Sequence, residues 1–401
     1  MSNLLILGVI VLGVILLAQV TRVYELTSKL TGRKEYEVSD KENSTHANLW
    51  VIYLLAFFAF FIWLWVRYGD NMLTISGSEH GDAVDTLLWF NFAVIIIVFA
   101  ITHILLVAFV FLYKGRKNGK ADFITHNNKL ELIWTTTPAI VLAVIIIYGI
   151  STWNKITSEP ENPINIELYA KQFDWTARYG GDDNKLGSFN FRMTSATNPL
   201  GVITDSKIEE RLAEMKQEIA DLEESRSKVF PGGKTDEEIL DKIASKKKHM
   251  NKVLEYQKIS ETTPYVEGND DKLVKTEFHI PVNQAVKFQI RAQDVIHSAY
   301  MPHFRAQMNA VPGMVTTFSF VPTKTTSEMR DLLKDPEFDY LLYCNKICGA
   351  AHYNMQMKIV VESESDYKAW LAEQPSLVPV DELKEATAQN KEEETKVIAL
   401  K

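Results

Sequence analysis

Cysteine is almost absent: among 401 residues there are two, Cys344 and Cys348. A disulfide-stapled framework is thereby excluded, because the chain could close at most one bridge. No Cys-x-x-Cys-His run occurs, so no haem of the c type is attached to this chain. The first apolar run, Leu4 to Val20, lacks a basic segment before it and a small-x-small cleavage site after it. It is therefore read as a retained helix and not as a signal peptide; cleavage would also export the basic loop that follows it. Positive charge is scarce from Arg67 to Asp85, where one Arg stands against Asp70, Glu79, Asp82 and Asp85.

What is present divides the chain in two, a greasy part up to Trp153 and a polar remainder. Four uncharged apolar runs, Leu4 to Val20, Leu49 to Val66, Thr86 to Tyr113 and Leu132 to Trp153, approach or exceed the roughly 17–25 residues that cross a bilayer as a helix. The loop after the first run carries Arg22, Lys29, Arg33, Lys34 and Lys41, and the loop after the third carries Lys114, Arg116, Lys117, Lys120 and Lys129. Cytoplasmic loops retain Lys and Arg, so four spans place everything after Trp153 outside.

Beyond the spans, alternating segments at Ile164, Lys275, Val286, Thr316 and Tyr340, with a last strand at 354–362, predict an all-β sandwich or barrel. A charged stretch at 204–256 interrupts it. Ile208, Leu212, Met215, Ile219 and Leu222 form a heptad seam, Pro231-Gly-Gly marks a turn, and Ile239, Ile243, Met250 and Leu254 form a second stripe. This predicts an inserted helical hairpin, either a solvated spacer or an arm that docks a partner. The tail at 373–401 is rich in Glu and Lys and is expected to be flexible or loosely helical.

Both cysteines sit in Cys-Asn-Lys-Ile-Cys-Gly-Ala-Ala-His-Tyr-Asn-Met, Cys344 to Met355, together with His352. A strand alternates faces and could not aim these four side chains at one point, so the run reads as a loop around metal. Thiolate with thioether points to copper, and two thiolates point to more than one copper ion. A Cys-x-x-x-Cys redox pair is the plainer reading, but it leaves His352 and Met355 without a role. His297, at the end of a strand-like segment, is the candidate for a further strong ligand. Two thiolates can bridge two coppers that share one electron, which suits electron transfer and leaves no open position for substrate.

These residues resemble those of subunit II of haem-copper cytochrome c oxidases, of the bacterial type with extra N-terminal helices, which carries the dinuclear CuA centre. The motif Cys-x-Glu-x-Cys-Gly-x-x-His-x-x-Met is matched at Cys344, Cys348, Gly349, His352 and Met355, and the upstream segment at Asp294, Val295, His297, Ser298, Pro302 and Pro312-Gly313. The resemblance implies that Cys344 and Cys348 bridge two coppers, His297 and His352 cap them, Met355 is a weak ligand and Lys346 ligates through its carbonyl. It also implies a cupredoxin-like exterior domain at 160–372, a membrane hairpin at 86–153 and two additional helices within 1–85. The family's glutamate between the cysteines, which helps hold a magnesium ion against subunit I, is Lys346 here, so the ion does not carry over with the copper.

Two further matches are looser. Glu131 opens a segment resembling the second family helix, whose glutamate lies where protons are taken up; a glutamate favoured by the first turn of a helix is the alternative. Lys171-Gln-Phe-Asp-Trp resembles the aromatic segment through which cytochrome c delivers electrons, making Phe173 and Trp175 candidates for that path; the alternative is a pair of core aromatics on a strand. The implied partners are subunits I and III, a cytochrome c donor and the bilayer of a bacterial inner membrane, with the exterior domain periplasmic and no nucleic acid involved. A quinol oxidase subunit would lack the copper ligands, a tethered thiol oxidoreductase would not need Met355, and a nitrous oxide reductase needs a propeller for which there is no room. His103 is expected to face subunit I, His279 to be structural and His303 to lie off the metal. The net charge of −8 would steer a basic donor.

Overall fold

The structure is a computed structural model describing residues 2–30, 32, 38–121 and 123–379. Four helices match the apolar runs: α1 (Ser2–Leu30), α2 (Asp40–Tyr68), α3 (Glu79–Leu112) and α4 (Asn128–Thr157). All four are long and apolar enough to cross a membrane. Their side chains are exposed because a bilayer, unlike water, solvates apolar surface; the first helical unit accordingly has almost no core of its own. Ser39 begins α2 with a capping box closed by Glu42. Asn127 caps α4 by accepting the Leu130 N–H at 3.1 Å, which leaves Glu131 exposed in the first turn. Within the described residues the ring of His103 stacks on Phe57 at 5.5 Å and lies tilted against Phe99 at 4.3 Å, and Nδ1 binds Phe99 O at 2.8 Å. It belongs to an α2–α3 aromatic cluster because a half-polar ring in a span finds its partners in the neighbouring turn and helix.

The second unit contains a sandwich of two five-stranded sheets. One has the order β3 (Lys272–Val274), β2 (Asp174–Tyr179), β1 (Ile164–Lys171), β5 (Val286–Ala292), β8 (Thr316–Phe320). The other runs β4 (Glu277–Pro281), β10 (Gln356–Glu362), β9 (Tyr340–Cys344), β6 (His297–Met301), β7 (Ala306–Ala310). β1 pairs in parallel with β5 and β10 with β4; the other ladders are antiparallel. Alternate residues of both sheets, including Leu168, Phe278, Phe288, Ile290, Leu342 and Ile359, fill the space between them at complete burial. Two short helices, α7 (Thr326–Leu333) and α8 (Glu364–Glu373), begin at Thr325 and Ser363, whose hydroxyls accept N–H groups of their first turns.

The insertion between β2 and β3 is the predicted hairpin, α5 (Asp205–Ser227) and α6 (Lys234–Ser260). Ile208, Leu212, Met215, Ile219, Ile239 and Ile243 are buried along the seam, joined by Val253. At the tip Asp236 accepts from Arg226 Nε at 2.7 Å and from Gly232 N at 2.9 Å. At its base a buried network that the sequence did not announce spans the sheet. Arg178 binds Glu167 and Asp271, Arg291 binds Glu167, and their remaining donors reach Gly187 O at 2.9 Å and Leu200 O at 3.1 Å.

The tail differs from expectation at its start. Leu377 and Val378 donate to Asp271 O and Asn269 O, at 2.6 and 3.1 Å, extending the edge at β3. An edge strand offers free carbonyls to any adjoining segment. Residues 380–401, the rest of the predicted flexible tail, lie outside the described residues.

Candidate metal centre

Three chain segments meet at one end of the second sheet. Cys344 ends β9 and lies opposite Ala299 on β6, whose first residue is His297. His297 thus opens a strand where the sequence reading had it close one; β5 ends at Ala292 and a turn intervenes. The loop from Cys344 to Met355 is pinched at its neck by Cys344 N–H donating to Met355 O at 3.0 Å, after which β10 begins. Within it Gly349 has φ +139°, a region L side chains avoid. A short helical turn from His352 to Asn354 then aims His352 back at the cysteines.

The donors converge in two linked sets. Cys344 Sγ lies 3.8 Å from Cys348 Sγ, 3.8 Å from His297 Nδ1 and 3.2 Å from the Lys346 carbonyl. Cys348 Sγ lies 3.5 Å from His352 Nδ1 and 3.8 Å from Met355 Sδ. Each thiol therefore has one imidazole and one weak donor, and the thiols share each other. His297, Cys344 and Cys348 are buried, and their donor atoms fall within 4.8 Å of one another.

That separation is far beyond the ~2.05 Å of a disulfide, and both cysteines are free. Burial, and then the neighbouring Cys344, pushes the Cys348 thiol up to about 11. A cation binding here must displace protons and would hold both sulfurs as thiolates. His297 Nε2 lies 2.9 Å from Asp294 Oδ1, and a carboxylate only accepts, so the hydrogen is on Nε2 and the Nδ1 lone pair faces Cys344. Soft thiolates and a thioether with two imidazoles fit copper.

The other sequence candidates fall in different places. Lys346 points its side chain outward and offers only its carbonyl. Trp175 is fully buried on β2 with its ring 6.3 Å from that of His297, whereas Phe173 is half-buried against the core. His279 is structural, stacked on Trp370 at 4.0 Å with Nδ1–H donating to Glu362 at 2.7 Å. Asp294 and Gln172 appeared in the sequence only as members of matched segments; their hydrogen bonds to His297 and to Cys348 O, made between distant turns, had no signal there.

His303 stays off the metal, packed edge-on to Phe338 and Tyr340 with Nδ1–H bonded to Ile75 O at 3.2 Å. Burial, reinforced by cationic Arg305, holds its imidazole below the ordinary value of 6.5. Just below pH 6.5 the folded chain therefore holds less proton on His303 than the unfolded chain does. Its contribution to stability is complete above that value and is lost as the pH falls through it. His303→Gln is expected to flatten the acid side of a stability–pH profile measured by thermal unfolding; an unchanged slope below pH 6.5 would contradict the assignment.

Comparison with known proteins identifies the family of the membrane and exterior regions. The family model for the transmembrane domain of cytochrome c oxidase subunit II matches residues 65–151, and the model for its periplasmic domain matches residues 252–364. The first begins earlier than the motif-based likeness, which starts at Thr86. The alternative cytochrome c oxidase subunit 2 of Bradyrhizobium diazoefficiens is 27% identical over 322 residues, covering 79% of this chain and 86% of that protein. Cytochrome c oxidase subunit 2 of Thermostichus vulcanus is 20% identical over 310 residues, covering 76% of this chain and 79% of that one. Among solved structures, the periplasmic domain of subunit II of cytochrome oxidase from Bradyrhizobium japonicum matches at 17% identity and TM-score 0.27, over 53% of this chain and 94% of that one.

Proposed function

Because the chain belongs to the cytochrome c oxidase subunit II family, we propose that it takes electrons from cytochrome c and passes them to haem in subunit I, where oxygen is reduced. It is a membrane protein of an oxidase whose C-terminal domain lies outside, and we place that domain on the periplasmic side of a bacterial inner membrane. Cys344 and Cys348 would bridge two copper ions, with His297 and His352 capping them through Nδ1 and the Lys346 carbonyl and Met355 Sδ as weak ligands. Two copper ions held by shared thiolates supply one-electron redox chemistry with the charge change spread over both metals.

The residues of the chain do the rest. Burial of His297, Cys344, Cys348 and Met355 excludes water, and the neck hydrogen bond together with the β6–β9 ladder keeps the donors in place, so little reorganises when charge changes. Phe173 adjoins the cysteine loop, and the nearest heavy atoms to a Cβ built on Gly349 include its ring at 2.9 Å, which favours Phe173 over Trp175 as the way in for electrons. Glu131, exposed in the first turn of α4, is the proposed point of proton uptake. Subunit III and subunit I are the proposed partners of the spans.

The carrying observation is the pairing of donors around two sulfurs 3.8 Å apart. Copper loading of the full chain in detergent tests it. Two coppers per chain and a hyperfine pattern from two equivalent nuclei are expected; one copper with a single-copper pattern, or none, would overturn it.

Lys346 adds an independent check. Only its carbonyl faces Cys344, so Lys346→Glu is expected to leave copper content unchanged while adding a carboxylate for a hard cation at the subunit I face. Manganese bound by the variant enzyme but not by the parent is the expected result. Full occupancy in the parent would show that another group already holds the ion.

A further inference from the structure

The donors His297 and Cys348 come from different segments, and the loop around Cys348 has little to hold it: Asn345, Lys346, Ile347, Gly349 and Ala350 are all exposed. Among the described residues, Gln172 supplies the hydrogen bond that reaches this stretch from outside the loop. Its side-chain amide donates to Cys348 O. Its backbone N–H donates to Asp294 Oδ2 at 2.7 Å, and Asp294 Oδ1 accepts from Val295 N–H at 2.7 Å and His297 Nε2–H at 2.9 Å. Gln172 follows β1 in the first sheet, whereas His297 and Cys344 belong to the second. One residue therefore joins the open end of one sheet to both halves of the donor set in the other.

The fit is close. A Cβ added at Gly349 would lie 2.8 Å from Gln172 Nε2 and 2.9 Å from the Phe173 ring, so the missing side chain is what lets the β1–β2 turn rest on the loop. Gln293 N–H donates to Ala170 O at 2.8 Å and fixes the Asp294 turn to the same strand end.

We propose that Gln172 and Asp294 are positioning residues, a brace across the end of the sandwich that sets Cys348 and His297 in register for metal. The amide holds the carbonyl next to one bridging sulfur, and the carboxylate holds the tautomer and ring angle of the histidine beside the other. Such outer contacts typically change metal affinity about 10–100-fold. The spectroscopic arm of the test rests on the copper reading above; the metal-free arm does not.

The test uses the full chain in detergent with Gln172→Met, which keeps length and loses the donor, and Asp294→Asn, which turns an acceptor into a donor. Without metal, amide exchange at 345–352 is expected to quicken about tenfold in Gln172→Met, while the unfolding midpoint moves by no more than about 2 °C. After copper loading, release to a chelator is expected to quicken about tenfold, with an altered visible and EPR spectrum. Exchange, release and spectrum identical to the parent would overturn the brace. So would a lowered midpoint with release and spectrum unchanged, which marks a fold residue only. Should Gln172→Met fail to fold, Asp294→Asn decides by the same readouts. A parent chain that binds no copper removes the copper reading, and exchange at 345–352 still decides the brace.

Discussion

Replacing Cys348 by serine is expected to abolish copper binding and to reduce the oxygen uptake of the assembled oxidase to background, while the exterior domain stays folded. Serine keeps the shape of the side chain but presents a hydroxyl that does not ionise near neutral pH and is a hard donor for a soft metal. The position carries more than its own bond. Cys348 Sγ is the common neighbour of Cys344 Sγ, His352 Nδ1 and Met355 Sδ, so its loss leaves three donors without a shared partner. Copper content by elemental analysis, with far-ultraviolet circular dichroism as the control for folding, checks this. Copper retained at two ions per chain would mean that these thiols are not the bridge.

The second large effect is on stability. Arg178→Met is expected to cost about 3–5 kcal/mol, because it strips buried Asp271 of its guanidinium and leaves Glu167 with Arg291 alone. Glu167, Arg178 and Asp271 are at most 1% exposed and Arg291 is 8% exposed, so water cannot replace the lost partner. Burial works against ionising Glu167, yet Arg178 and Arg291 together hold its carboxyl below the ordinary value. Asp271 behaves in the opposite sense: burial pushes it up to about 6 despite Arg178.

The sign of the pH dependence follows. Between 3.8 and about 6 the folded chain keeps a proton on Asp271 that the unfolded chain releases. That contribution is present at low pH and is lost as the pH rises through about 6. Removing Arg178 raises the acids further, so the deficit of the variant is expected to be smaller at acid than at neutral pH. Urea unfolding followed by tryptophan fluorescence measures both. A loss below about 1 kcal/mol would show that the network is dispensable. Replacing both Glu167 and Arg178 by Met is expected to cost less than Arg178→Met alone, since no charge is then stranded.

The spans were legible because membrane helices satisfy their own backbone and need only a local run of apolar residues; each run falls on a helix that extends beyond it at one end or both. The hairpin was equally legible, its heptad seam being a property of consecutive turns. Strands β1, β4, β5, β8, β9 and β10 showed in alternation, whereas β6 and β7, with His297, Ser298, Gln307 and Asn309 among so few residues, showed no clean period. Their identity as strands comes from their neighbours: β6 lies between β9 and β7 and borrows its order from both ladders.

For the site, the twelve residues from Cys344 to Met355 announced soft metal on their own, because ligands close in sequence can be brought together by one loop. The sequence by itself thus determined the membrane anchoring, the β class of the exterior domain, the hairpin and the soft donor set of the site. Tertiary structure alone decided that His297 opens a strand beside Cys344, that Gln172 and Asp294 brace it, and that Arg178 and Arg291 are buried among acids. The physical reason is range: helical period, strand alternation and loop ligation act over neighbours in the chain. A contact between residues 172 and 348, or 178 and 271, exists only once the sheets have packed and excluded water between them.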